Sequence, residues 1–238
     1  MEEFEVLSNG MRILQTESLF RLGTDSILLA NFCGNLHGGR IADLGCGGGA
    51  LGVLLCAADP ACRVTGIELQ LAACEIAQSN IRINHLEDRF SVYNGDLRQI
   101  QSLFPANGFD YVVSNPPYFP AGSGKKSQRD EIAIARTEIF CTPEDLCAAA
   151  QWLLRFGGCF CFVHRPERLA EMIYTLKAHQ LEPKRLRFVR HSPNSPVSLF
   201  LMSCTLGGKS GLQVENELIL HTASGEPTEE YLNIYHMS

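Results

Sequence analysis

The sequence predicts an α/β protein built on a mostly parallel sheet with one antiparallel strand near the C-terminus. Three observations carry that expectation. Short apolar runs alternate with helical patterns through the middle of the chain, which is the mark of βαβ units. A glycine-rich turn, Gly45-Cys46-Gly47-Gly48-Gly49, follows the first of those runs where a helix should begin. Two strand-like runs near the end, 184–189 and 197–204, have no helical pattern between them and should pair antiparallel.

Taken in order, residues 25–32 read as a helix capped by Thr24 or Asp25. A first strand spans 40–44, and the helix after it, 50–58, is stopped by Asp59-Pro60. A second strand, 63–67, ends in Glu68; the next helix, 71–84, sets Leu71, Cys74, Ile76 and Ala77 on its apolar face. The third strand, 90–93, is closed by Asn94-Gly95-Asp96, and the fourth, 109–114, ends at Asn115. Residues 122–130 are polar and glycine-bearing and read as a loop. Thr142-Pro143-Glu144-Asp145 carries a capping box with proline in the first turn, opening a helix expected to end near Gly157-Gly158. A fifth strand, 159–164, and a helix, 167–179, follow. Ligands of such open sheets lie at the carboxyl ends of the strands.

A chain of 238 residues suits a single domain, here with an N-terminal cap segment, 1–37, and a C-terminal tail, 207–238, packing on it. The start, Met1-Glu2-Glu3-Phe4-Glu5, is acidic and unlike a basic signal peptide, and no apolar run approaches the roughly 18 residues of a membrane helix. A soluble, cytoplasmic protein with no membrane partner is expected, with a monomer favoured. None of the ten cysteines forms a C-x-x-C pair, so neither a metal site nor a disulfide is expected. The net charge of −6 does not favour a nucleic-acid partner, but its distribution is uneven. Beyond Leu206 one base, Lys209, faces five acids, leaving 19 bases against 21 acids in the rest. Two basic clusters stand out there: Lys125-Lys126-Ser127-Gln128-Arg129, and Lys184-Arg185-Leu186-Arg187 continuing to Arg190-His191. Each is either a phosphate-binding patch or a solvated face.

The first strand runs into Asp43-Leu44-Gly45-Cys46-Gly47-Gly48-Gly49-Ala50. Gly45-x-Gly47-x-x-Ala50 with Glu68 further on also satisfies a dinucleotide fingerprint, so the glycines alone are ambiguous. Asp43 tips the balance: a carboxylate repels a pyrophosphate but favours the cationic methionine half of S-adenosylmethionine. Glu68 suits the ribose hydroxyls and Asp96 the adenine amine. Asn115-Pro116-Pro117-Tyr118 is the sharpest motif. An amine conjugated to a base or carbonyl is a poor nucleophile, and two acceptors aimed at its N–H bonds draw the nitrogen towards tetrahedral geometry. The Asn115 oxygen and the Pro116 carbonyl fit that task, proline sets the chain direction, and Tyr118 offers a face for stacking.

Asp-Leu-Gly-Cys-Gly-x-Gly together with Asn-Pro-Pro-Tyr resembles the amino-methyltransferases. The segment 20–30, Asn115 to Phe119, Ala135-Arg136-Thr137-Glu138, and a tail from Glu217-Leu218-Ile219-Leu220 to Tyr231 and Tyr235 resemble the bacterial tRNA(Val) adenine-37 N6-methyltransferase family. The resemblance implies a Rossmann-like class I fold, an S-adenosylmethionine-dependent enzyme, and tRNA as partner, with adenine 37 of the anticodon loop as target. It implies cofactor residues Asp43, Gly45, Cys46, Gly47, Glu68, Leu69, Asp96, Leu97 and Asn115, and an amine site of Asn115, Pro116, Pro117 and Tyr118. Lys125, Lys126, Arg129 and Arg136 are expected to contact RNA. The same chemistry on another RNA, DNA or a protein glutamine is the alternative; a non-catalytic cofactor-binding module or an NAD-dependent oxidoreductase is the different class.

Overall fold

In a computed structural model of the chain, the described residues are 2–7, 10–16, 22–116 and 141–236. A two-stranded antiparallel hairpin, β1 (Glu2–Val6) and β2 (Arg12–Thr16), precedes helix α1 (Thr24–Cys33). The parallel units follow: β3 (Arg40–Leu44), α2 (Ala50–Ala58), β4 (Arg63–Glu68), α3 (Leu71–Ile83), β5 (Phe90–Asn94), a short α4 (Ile100–Leu103) and β6 (Phe109–Ser114). Then come α5 (Pro143–Leu153), β7 (Leu154–His164), α6 (Leu169–Ala178), β8 (Leu181–Arg190) and β9 (Val197–Leu206). Two short strands, β10 (Gln213–Val214) and β11 (Leu218–Ile219), and helix α7 (Glu229–His236) complete it.

The strand order is β10-β8-β9-β7-β6-β3-β4-β5, with β11 also on β8. Only β9 is antiparallel to its neighbours, as the sequence led one to expect. The chain leaves β3 towards β4 and β5, then returns to lay β6 on the other side of β3. That reversal makes the carboxyl ends of β3 and β6 the switch point at which open sheets of this kind take their ligand in a crevice.

Alternating side chains feed two cores, one on each face of the sheet. Ile41, Val113, Cys161 and Val163 face α1 and α2 with Leu28, Leu29 and Leu54. Ala42, Val112, Phe160 and Phe162 face α5 and α6 with Leu146, Leu153, Met172 and Leu176.

Four details differ from the sequence expectation. Helix α1 has Gly23 as N-cap with no side-chain cap, because neither Thr24 nor Asp25 adopts the cap position. Helix α5 keeps its capping box at Thr142 and Asp145 but ends at Leu153. The glycines at 157 and 158 lie inside β7 instead. A Cβ on Gly158 would come within 3.0 Å of the Asp110 carbonyl, so this glycine permits close strand packing beside an irregularity in the β6–β7 register. Finally, Leu71 is 62% exposed, whereas Asn80 is fully buried with Ala73, Cys74, Ala77 and Ile81.

Asn80 is inside because it joins three segments. Its Oδ1 accepts from the Leu14 backbone N–H of β2 (2.6 Å), and its Nδ2 donates to the Gly48 carbonyl in the glycine-rich turn (2.9 Å). Asn84, one turn on, binds both backbone groups of Arg12. The hairpin is thereby tied to α3.

The second basic cluster is neither a free phosphate patch nor a solvated face. β10 and β11 run parallel to β8 and bring the acidic tail against it. Arg185 pairs with Glu215 (2.5 Å), Arg187 with Glu230 (2.5 Å) and Arg190 with Glu217 (2.8 Å). Arg185 also donates to the Phe32 carbonyl at the end of α1 and lies over the Phe32 ring, 4.3 Å from its centroid. The tail thus covers the edge of the sheet, where an open strand would invite pairing with another chain.

Asn80→Ala should leave a buried N–H and a buried carbonyl unpaired and cost on the order of 1–3 kcal/mol. Thermal unfolding should fall by several degrees; an unchanged midpoint would remove Asn80 as the link between hairpin and turn. Truncation after Leu206 should expose β8 and convert a single species in size-exclusion chromatography into aggregates.

Candidate active site

The candidate residues that lie among the described residues converge at one rim of the sheet. Asp43 lies near the end of β3, Glu68 ends β4, Asp96 follows β5 and Asn115 follows β6. The register places Asp43 beside Gly66 on one side and Val113 on the other. Ser114 donates its hydroxyl to the Leu44 carbonyl (2.8 Å), which locks the end of β6 to that of β3.

The glycine-rich turn depends on its glycines. Gly45, Gly47 and Gly49 have φ of 70°, 54° and 80°, a region that favours glycine, and nothing lies within 4 Å of where a Gly45 Cβ would stand. Gly45 and Cys46 both donate their N–H to the Ile67 carbonyl (2.9 and 3.2 Å), folding the turn over the end of β4. Glu68 completes it: Oε2 accepts from Gly47 N–H (2.9 Å) and Oε1 from Gln70 N–H (2.8 Å). Each carboxylate oxygen keeps a further lone pair. Asn94 donates to the carbonyls of Glu68 and Leu69 (3.0 and 2.9 Å) and so fixes the β4 end from β5.

Asp43 is 1% exposed, and its Oδ2 has no hydrogen-bond partner among the described residues. Burial, and secondly the charge of Glu68, push its carboxyl up to about 8. Such an orphaned carboxylate calls for a cationic or N–H donor. Asp96 is already engaged: it accepts a fork from Arg98 (Nε at 3.0 and 2.9 Å) and the Arg98 backbone N–H (2.9 Å). The Arg98 side-chain hydrogen bond holds the Asp96 carboxyl below its usual range. Leu69 is exposed, Leu97 half-buried and Cys46 buried.

Asn115 and Pro116 are half-buried beside this crevice. The Asn115 Nδ2 donates to the Ser26 hydroxyl of α1 (3.0 Å), while no donor among the described residues reaches its Oδ1. Pro117, Tyr118, Lys125, Lys126, Arg129 and Arg136 lie outside the described residues. Sequence reasoning missed Ser26, Asn80 and Asn94. Asn80 had a signal, a polar side chain in register with the buried positions of α3; the other two are visible only once distant segments meet. No cluster of three or more metal-ligating side chains occurs among the described residues, and no described helix is long and apolar enough to cross a membrane.

Residues 21–179 match the methyltransferase small domain. The tRNA1(Val) (adenine(37)-N6)-methyltransferase of Yersinia pseudotuberculosis serotype O:3 is 30% identical over 217 residues, covering 90% of this chain and 83% of that protein. A predicted O-methyltransferase from Agrobacterium tumefaciens has a similar structure, with a TM-score of 0.74 at 22% identity over 90% of this chain and 96% of that one. Geranyl diphosphate C-methyltransferase from Streptomyces coelicolor gives 0.56 at 12% identity over 76% and 79%. The chain is therefore an S-adenosylmethionine-dependent methyltransferase of the small-domain family. Within that class it belongs to the family of the tRNA1(Val) (adenine(37)-N6)-methyltransferases.

Because the folded pKa of Asp43 lies above its unfolded value, its contribution to stability is full at pH below about 4 and is lost as pH rises towards about 8. The ligand-free protein should lose stability across that window. Asp43→Asn, neutral throughout, should show a flatter profile in thermal melts taken at a series of pH values. Parallel profiles for the two proteins would contradict the buried, unpartnered state of this carboxyl.

Proposed function

We propose that this methyltransferase acts on the N6 amine of adenine 37 in the anticodon loop of a valine tRNA, in the cytoplasm. The observation that carries the reading is Asn115-Pro116 at the end of β6, whose last residue is locked to the end of β3 where the glycine-rich turn begins, with no donor to Asn115 Oδ1 among the described residues. The name of the relative that matches most of the chain supports the choice of substrate.

The residues present suit the cofactor. Asp43, buried with an oxygen that has no partner among the described residues, would receive the ammonium of the methionine half. The open side of Gly45 allows close approach of the ligand to the backbone. Glu68 would take the ribose hydroxyls with the lone pairs its turn contacts leave over. Asp96 would meet the adenine amine beside its Arg98 contact, with Cys46, Leu69 and Leu97 flanking. When bound, S-adenosylmethionine supplies a methyl group activated on sulfonium.

The chain's own part is positioning. Asn115 Oδ1 and the Pro116 carbonyl accept the two N–H bonds of the amine, so its lone pair turns away from the ring and towards the methyl group. Tyr118 stacks on the extruded base, and a loop base costs less to extrude than one in a duplex. Lys125, Lys126, Arg129 and Arg136 follow the amine motif directly in sequence and are assigned to phosphate contacts.

Methyl transfer to valine tRNA transcripts, followed by nucleoside analysis, tests the reading. N6-methyladenosine should form and should vanish when position 37 is changed; modification elsewhere, or of protein glutamine, would replace the substrate assigned here. Asn115→Ala should lower turnover by at least about tenfold with S-adenosylhomocysteine affinity nearly intact. Lys125→Ala with Lys126→Ala should flatten the log–log salt dependence of tRNA binding by about 1.4, at roughly 0.7 per lost single-strand phosphate contact.

A further inference from the structure

We propose that Ser26 is a positioning residue: its hydroxyl holds the Asn115 amide in the one orientation that turns Oδ1 towards the methylated amine. This rests on the amine-acceptor role given to Asn115 above.

An asparagine amide has an oxygen face and an N–H face of nearly the same shape, and rotation by half a turn exchanges them. An acceptor site tolerates only one of the two, because an outward NH2 would meet the substrate amine donor to donor. The neighbouring backbone does not make that choice. Ser114 is locked to β3 through its bond to the Leu44 carbonyl, and Pro116 restricts the chain on the other side. Both fix where Asn115 stands and leave the amide torsion open. The bond from Nδ2 to Ser26 Oγ at 3.0 Å holds that torsion with the hydroxyl as acceptor; the flipped amide, which the hydroxyl would serve as donor, is excluded by the amine donor it would face on the other side.

Ser26 is well suited to that task. It is 8% exposed and lies in the first turn of α1, followed by Ile27, Leu28 and Leu29, none more than 2% exposed. Its backbone N–H donates to the Gly23 carbonyl (3.1 Å). The hydroxyl therefore sits on a helix packed into the core, 89 positions away in sequence from the amide it orients. The cap segment thereby becomes part of the active site without touching substrate.

The test combines kinetics with a spectroscopic reading of the amide. Ser26→Ala should lower kcat by about three- to tenfold, the equivalent of one lost hydrogen bond, with KM for tRNA and affinity for S-adenosylhomocysteine within about twofold of wild type. Ser26→Thr, which keeps a hydroxyl, should recover most of the rate. Added to Asn115→Ala, Ser26→Ala should cost nothing further, since the group it orients is gone. In 15N-labelled protein the Asn115 side-chain amide, assigned by its disappearance in Asn115→Ala, should show one hydrogen-bonded proton in wild type and lose that signature in Ser26→Ala. Wild-type kcat in Ser26→Ala, or an equal further loss in the Asn115→Ala background, would overturn the proposal. If the wild-type enzyme methylates no tRNA, the functional reading above fails. The amide spectrum then still decides whether Ser26 holds Asn115, and an unchanged signal in Ser26→Ala overturns that separately.

Discussion

The arrangement depends on β3 and β6 lying side by side. The chain leaves β3 in one direction, builds β4 and β5, and returns to pair β6 with the opposite edge of β3. Every connection of that kind sends its turn to the same rim, so the crevice between β3 and β6 collects a glycine-rich turn and an asparagine from segments far apart in sequence. The Ser114 hydroxyl, donated to the Leu44 carbonyl, pins the two strand ends together where the crevice opens. The pin adds to the backbone ladder that sets Asp43 beside Val113 and carries that register to the acceptors just beyond β6.

Charge at the rim is organised by burial. Asp43 lies inside the sheet with an oxygen unpaired among the described residues, while Glu68 spends one lone pair of each oxygen on the turn it holds. Burial pushes the Asp43 carboxyl up to about 8, and the neighbouring charge of Glu68 adds to the shift. A cationic ligand favours the ionised Asp43 and is held by it, whereas a phosphate would add negative charge beside Glu68 and hold Asp43 protonated, which separates the site physically from a dinucleotide site with the same glycines. On the same rim Asp25 is raised by burial, against the pull of Arg165, and His164 is lowered to about 4 by burial and secondly by Arg168.

The periphery follows a different logic. The N-terminal hairpin has little core of its own; Leu7 and Ile13 pack into the core on one face of the sheet, and the amides of Asn80 and Asn84 tie its backbone to α3. The C-terminal tail is held by backbone pairing to β8 and by three ion pairs along it. Exposed ion pairs are each worth little, so their larger effect is to choose the register and to keep a basic edge strand from recruiting other partners. The two basic clusters thus part company: one is neutralised within the chain, and the other follows the amine motif in sequence.

The sequence by itself determined the sheet, its one antiparallel strand and the rim. Periodicity marks strands and helices, Gly45, Gly47 and Gly49 mark the turn, and acids at Asp43, Glu68 and Asp96 mark three successive strand ends. Those signals are local, written within a few residues of where they act. What only the tertiary structure decided depends on contacts between distant segments. Gly157 and Gly158 look like a helix stop, yet they serve a strand because β6 approaches too closely for a side chain at Gly158. Lys184 to Arg190 looks like a phosphate patch until the tail folds back to neutralise it. Ser26 lies in a segment marked only by its resemblance, and its role is not written there, because that role is a hydrogen bond to a side chain 89 positions away, which exists only after α1 has packed on β7.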